Sequence, residues 1–306
     1  MRRLRLLRRG LWTPQGRARN PKRLSSFAFC DQNVAWPDGG ADHPLARWAG
    51  MRPRILFGDH QTQMPAIQRL IDHARFDVAF SPFDGVDYAA FDLVVPLRID
   101  QIAPARRANA DGRRRAILPD DDLVAVCDDK LAFNDRLVAL GFGDHVPDLL
   151  PDPPDTYPYI RKARHGDFGD GIRLVRGPQD DRDPPPGSFC QRAVEGEDEY
   201  VLHLLRADGG IRYTLCYRYG MDSPFAIRGR QDRPRVIEPA EPGVALPLCT
   251  RILDALGFEG TGCFNYKLEA GRPMILELNP RFGGSLVGDV TNYVAAHLNA
   301  LALAPA

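Results

Sequence analysis

Lysine is scarce in this sequence. Of 40 basic residues only four are Lys, at Lys22, Lys130, Lys162 and Lys267, and Arg carries the rest. Net charge is also missing: the formal value is zero, so charge gives no argument for a nucleic-acid or membrane partner. The six cysteines include no CxxC pair and no Cys/His cluster at zinc-ligand spacing. Most are set in apolar surroundings such as "LVAVCDD" and "GCFNY", and they read as reduced core thiols of a cytoplasmic protein. No stretch approaches the roughly 18 to 20 apolar residues of a membrane span. No G-x-G-x-x-G follows the first predicted strand, so a Rossmann cofactor site is not expected.

What remains is a chain of 306 residues, 44% hydrophobic and 26% charged, the profile of a soluble globular protein with room for two or three compact units. From Met1 to Arg23 there are eight Arg and one Lys, and the first carboxylate is Asp31. "MRRLRLLRRGLW" fits a membrane-surface or targeting segment, a nucleic-acid contact, or a disordered extension. The polar, Pro- and Gly-dotted run up to residue 50 favours the last, and "MRPRILFGD" from Met51 reads as a natural start.

Beyond residue 50 strands and helices alternate. "RILFGD", "FDVAFSP" and "FDLVVPL" read as strands and "MPAIQRLIDHA" as a helix, which predicts a small leading parallel α/β domain over 51–125. "CDDKLAFNDRLVALG" (127–141) predicts a helix capped by Asp128 and ended by Gly141. "YPYIRKARHGDFGDGIRLVR" predicts strand, glycine loop, strand. Antiparallel strands follow, with a hairpin near Asp208–Gly210. A loop rich in Arg and Pro (224–243) leads to a helix at 244–256. A second hairpin turns at Ala270–Gly271, and a last helix spans about 286–302.

The lysines outside the basic tail each lie beside a segment suited to holding charge. Chance placement is the alternative, but Lys is a compact point charge that approaches a phosphate oxygen well. Lys130 falls in the first turn of its helix, where the macrodipole disfavours a cation unless an anion lies beside it. Lys162 ends a strand and precedes "HGDFGDG", whose Gly166, Gly169 and Gly171 can turn backbone N–H groups around phosphates. In "ILELNPRFGGS", Glu277 and Asn279 share one strand face while Leu276 and Leu278 bury the other; Asn265 and Lys267 share a face of the preceding strand. A carboxylate among amide oxygens suits Mg²⁺, and Arg281 can neutralise phosphate charge. Arg228 and Arg230 fit bidentate binding of a carboxylate or acyl phosphate, or a solvated basic loop. His60, His165 and His203 read as packing or loop residues, with His165 nearest the glycine loop.

Taken in order, "DDKLAFNDRLVALGF", "YIRKARHGDFGDGI", "FCQRAVEGEDEYV" and "ILELNPRFGGS" resemble the lysine-bearing helix, glycine loop, hinge and E-x-N-P-R motif of the ATP-grasp superfamily, in its carboxylate–amine ligase and carbamoyl-phosphate-synthetase-like branch. The resemblance implies an α/β (α+β) fold, with the leading domain followed by two ATP-grasp lobes built on antiparallel sheets, at 126–190 and 191–306. It implies that Lys130 and Lys162 contact ATP phosphates, that Glu277, Asn279 and the position of Asn265 hold Mg²⁺, with Lys267 beside the nucleotide, and that Arg281 binds the transferred phosphate. Gln191, Ala193 and Val194 would present main chain to adenine, and Asp198 or Glu199 would hold the ribose. Two positions depart from the family. Asn265 stands where an acid or Gln is usual, and Arg192 where an acid is common. The implied activity is ATP-dependent coupling of a small carboxylic acid to an amine through an acyl phosphate. A kinase and a nucleotide-binding protein without turnover are the alternatives, and a homodimer is the implied assembly.

Overall fold

The run Ile55, Leu56, Phe57 is apolar at every position because both faces of its strand are covered. In this computed structural model, which describes residues 50–229 and 231–303, that strand is β1 (Arg54–Gly58). It lies between β2 (Asp77–Ser81) and β3 (Leu93–Val95), and all three are parallel. Helix α1 (Gln63–Leu70) connects the first two. Ile55, Phe57, Leu93 and Val95 pack with Ile67 and the C-terminal helix, while Leu56 and Val94 pack with Ala105 of the one-turn α2 (Ile102–Ala105) and with Ala116. The readings made for residues 1–49 and for Arg230 fall outside the described residues.

The loops after β1 and β3 are tied together. Gln101 accepts the N–H groups of Leu97 and Arg98 through Oε1 and donates to Asp59 through Nε2. A Cβ on Gly58 would fall 1.9 Å from Gln101 Oε1, so this approach requires glycine.

The predicted 127–141 helix is two helices, α3 (Asp121–Asp128) and α4 (Lys130–Ala139). The cap is therefore Asp129 and not Asp128: its extended backbone breaks the helix, and its carboxylate accepts from Leu131 and Ala132 N–H. Gly141 ends the segment at φ 84° as expected.

A four-stranded antiparallel sheet follows, in the order β4 (Leu149–Leu150), β7 (Phe189–Arg192), β5 (Tyr159–Lys162), β6 (Ile172–Val175). Its inward Arg161 is buried and held by the carboxylates of Asp152 and Asp181. The five-stranded antiparallel sheet runs β10 (Val236–Pro239), β9 (Gly210–Gly220), β8 (Asp198–Ala207), β11 (Gly260–Glu269), β12 (Arg272–Asn279). Both hairpins turn where expected, with positive φ at Asp208–Gly209 and Ala270–Gly271. β10 lies inside the segment read as a loop; its four residues are mostly exposed and carry no apolar alternation. α5 (Ala245–Leu256) ends at Gly257 in the left-handed region and covers one face of this sheet with α3 and α4. α6 (Val290–Leu303) starts later than expected, because Gly284–Asp289 is a 3-10 turn.

The cysteines at 127, 190, 216, 249 and 263 are free and buried, as core thiols should be. No described helix is long and apolar enough to cross a membrane.

Candidate active site

The β11–β12 pair carries a bulge. Asn265 pairs with Glu277 but Tyr266 pairs with Ile275, leaving Leu276 as the extra residue. Ile275 and Leu278, three apart, therefore both reach the core beside Phe264 and Tyr266. Leu276, expected to share that burial, is only half-buried. Glu277 and Asn279 turn to the other face with Asn265. Asn265 Nδ2 donates to Glu277 Oε1 at 2.7 Å and Asn279 Nδ2 donates to the same oxygen at 2.9 Å.

Two lysines face that carboxylate from different elements. Lys130 is the first residue of α4; its N–H donates to Arg164 O at 2.8 Å, its Nζ donates to Gly166 O, and Nζ stands 3.9 Å from Glu277 Oε2. Lys162 comes from the end of β5 and is buried. Burial pushes its pKa down to about 8; the Lys130 charge acts in the same direction, while Glu277 and Glu199 oppose it. Among the described residues nothing lies within hydrogen-bonding or ion-pair distance of the Lys162 ammonium.

The glycine loop joins β5 to β6. A Cβ on Gly171 would sit 2.6 Å from Ala163 Cβ, so glycine is what lets the neck of the loop close. Gly169 rests against the main chain of Arg228. The N–H groups of Gly166, Gly169 and Gly171 take no protein acceptor among the described residues, which leaves them available to an anion.

The hinge follows β7. Gln191 is not available there: it is paired in the ladder with Ile160, and its side chain donates to Pro147 O. Ala193 and Val194 lie past the strand, and their N–H groups have no protein acceptor among the described residues. Arg192 grips Glu269 with both Nη atoms, at 2.7 and 3.1 Å, and ties the hinge to the end of β11.

Glu199, and not Asp198, faces the lysines. Glu199 pairs in register with Lys267 and is buried, whereas Asp198 projects from the opposite face of β8 onto Arg218. Glu199 also accepts from Arg228 Nε at 2.6 Å, and the Arg228 guanidinium stacks 4.5 Å over the Tyr219 ring. Lys267, expected beside the nucleotide, spends its ammonium on Gly196 O and Pro224 O, at 2.9 and 3.0 Å. Burial lowers its pKa. It braces the hinge against the 224 loop.

Arg281 has no carboxylate within ion-pair distance among the described residues; its Nη1 donates to Phe282 O. The histidines divide. His203 is fully buried, and burial with the Arg228 and Arg281 charges pushes its pKa down to about 3, so it is neutral. Its Nε2 lies 2.7 Å from Ser285 Oγ. His165 is exposed beside Asp128. His60 follows β1, and burial, then the charges of Arg281 and Arg98, lower its pKa. The Asp129–Arg164 clamp and the Ser285 contact had no signature in the sequence beyond the polarity of those residues.

The donors can be tested against a hard cation. Glu277 Oε2 receives no hydrogen bond among the described residues, and Asn279 Oδ1 accepts one long hydrogen bond, from Arg281 Nη2 at 3.5 Å. These two oxygens fit Mg²⁺. No described group of three or more His, Cys, Asp or Glu could hold a metal by side chains of those types alone.

No protein-family model matches the sequence, and no curated protein matches it. Solved structures do. A D-Ala:D-Ser ligase from Enterococcus faecalis aligns with a TM-score of 0.56 at 13% identity, over 82% of this chain and 98% of that one. A D-alanine–D-alanine ligase from Bacillus anthracis gives 0.53 at 13% identity, over 82% and 94%. The fold is the ATP-grasp fold. An L-amino acid ligase from Bacillus licheniformis aligns with the same ATP-grasp arrangement at 0.53 and 17% identity, over 82% and 74%. The Bacillus anthracis ligase is also known in complex with ATP. The cluster described above draws Lys162 from the four-stranded sheet, and Glu199, Asn265 and Glu277 from the five-stranded one.

Proposed function

We propose that the chain is a Mg²⁺-dependent ligase that uses ATP to phosphorylate the carboxylate of a small molecule and couples the resulting acyl phosphate to an amine. Its working units are 51–125, 126–190 and 191–306, and its setting is the cytoplasm. One observation carries the reading. Lys162 is a buried cation with no protein partner, aimed at a carboxylate and a second lysine. A buried charge left alone is costly, and such perturbed groups gather at functional sites. An anion with several oxygens, entering under the free N–H groups of the glycine loop, completes the arrangement.

In this reading Lys130 and Lys162 hold the phosphates, Ala193 and Val194 offer main chain to adenine, and Glu199 takes the ribose hydroxyls. Bound Mg²⁺ supplies charge neutralisation at the phosphates, from Glu277 and Asn279. Arg281, free of protein carboxylates among the described residues, binds the phosphoryl group as it passes to the substrate carboxylate. No side-chain nucleophile is needed; positioning and charge neutralisation suffice for phosphoryl transfer.

The test is ADP release with Mg-ATP across a panel of amino and other carboxylic acids, with hydroxylamine to trap acyl phosphate. Acid-dependent ADP with hydroxamate, abolished in Glu277→Gln, supports the reading. Product that needs an added amine separates a ligase from a kinase. Asn265, a neutral residue beside Glu277, favours a second reading, a nucleotide binder without turnover. Tight ATP binding with no ADP release across the panel would establish that one.

A further inference from the structure

We infer that the phosphate end of this site is built for one divalent cation and not two, and that Asn265 is a positioning residue whose amide N–H holds the Glu277 carboxylate. The inference rests on the nucleotide reading above and deepens it.

Glu277 is the one carboxylate where β11 faces β12 at the lysines. Its Oε1 accepts from Asn265 Nδ2 and Asn279 Nδ2, which uses both lone pairs of that atom. The orientation of Asn265 is fixed by this contact. Turned over, it would set Oδ1 against a carboxylate oxygen, two acceptors face to face. As it stands, Oδ1 is directed to Cys263 Sγ, 3.7 Å away.

Two protein oxygens are then left for a cation, Glu277 Oε2 and Asn279 Oδ1. A pair of cations roughly 4 Å apart needs oxygens on both sides of a shared carboxylate, and here one side is closed by N–H groups. Glu199, the next carboxylate, is occupied by Arg228 at 2.6 Å.

Charge points the same way. Lys130, 3.9 Å from Oε2, and Lys162, which feels the Glu277 charge, already face a single negative side chain. A second double charge would add repulsion from both. The Asn265 amide proton instead fixes Oε1 with no net charge.

Stoichiometry decides. Wild-type protein and an equimolar non-hydrolysable ATP analogue are titrated with Mn²⁺, and free Mn²⁺ is counted by electron paramagnetic resonance. We expect one bound Mn²⁺ per complex. Two in the wild type would overturn the inference while leaving the nucleotide reading in place. Asn265→Asp is expected to take up a second Mn²⁺, with the broadened spectrum of a close spin pair; a variant that still binds one overturns the role given to Asn265. Calorimetry of the analogue with Mg²⁺ comes first, because failure to bind it would bring down the nucleotide reading and this inference together.

Discussion

Arg164 and Asp129 are locked together where the glycine loop begins and α4 starts. Nε of Arg164 lies 3.0 and 2.9 Å from the two Asp129 oxygens, and Oδ1 also accepts the N–H groups of Leu131 and Ala132. Lys130 sits between these anchors, its N–H bonded to Arg164 O. One carboxylate thus caps a helix, fixes the loop neck and aims a lysine.

Asp129→Ala should therefore destabilise the fold by about 1 kcal/mol for the lost cap alone, and weaken nucleotide binding as Lys130 loosens. Arg164 first, then the capping N–H groups, hold the Asp129 pKa below the usual carboxylate range. The contribution is present above that range and is lost as pH falls through the lowered value. Urea denaturation at pH 7 and at pH 3 checks it: the gap between wild type and Asp129→Ala should narrow on acidification.

Lys162 has the opposite sign. Its pKa is pushed down to about 8 from 10.5, so the unfolded chain binds the proton more tightly, and stability without ligand should rise between those values. Lys162→Met should remove that rise and stabilise the unliganded protein at pH 7, by up to roughly 3 kcal/mol. The same variant should lose nucleotide affinity at least tenfold. Wild-type affinity should decline as pH climbs above about 8, where the free protein gives up this proton. Flat affinity from pH 7 to pH 10 would remove Lys162 from the phosphate site.

Gly283 lies against the buried imidazole of His203. A Cβ there would fall 2.4 Å from His203 Cε1, although its φ of −85° would suit any residue. The constraint is a neighbour and not the backbone. Gly283→Ala should cost roughly 1 to 3 kcal/mol through overpacking. His203→Ala makes room, so the double variant should fall well short of the sum of the two single ones. Thermal denaturation of the three proteins measures the coupling; strict additivity would mean that the two residues do not press on one another.

The parts of this molecule that were legible from the sequence are those where a local pattern dictates the outcome. Gly271 after Ala270 turns a hairpin, alternating runs around Asp208–Gly209 make another, and the apolar triplet Ile55–Phe57 demands cover on both faces. The ordered motifs from Lys130 to Arg281 likewise carry the resemblance to the ATP-grasp arrangement. What was hidden depends on pairing across space. The bulge that moves Leu276 out of the core arises from the register of β11 against β12, which no window of β12 alone contains. Asp128 and Asp129 are equivalent as letters, and Arg164, 35 residues away, makes the second one the cap. Lys267 resembles its fellow lysines in sequence, and only the fold brings the carbonyls of Gly196 and Pro224 to its ammonium.

Adjacent acids Asp198 and Glu199 supply the sharpest separation of face from composition. Successive residues of β8 point to opposite sides, so Glu199 is buried opposite Lys267 while Asp198 meets Arg218 at 2.7 Å on the far side. Glu199→Gln keeps the shape, removes the charge held by Arg228, and should weaken ATP binding at least several-fold. Asp198→Asn breaks a partly exposed ion pair worth at most about 1 kcal/mol, and should leave nucleotide affinity unchanged. Calorimetric titration of the two variants with the same non-hydrolysable analogue distinguishes them. Equal losses would mean that the β8 face does not decide which carboxylate reaches the nucleotide.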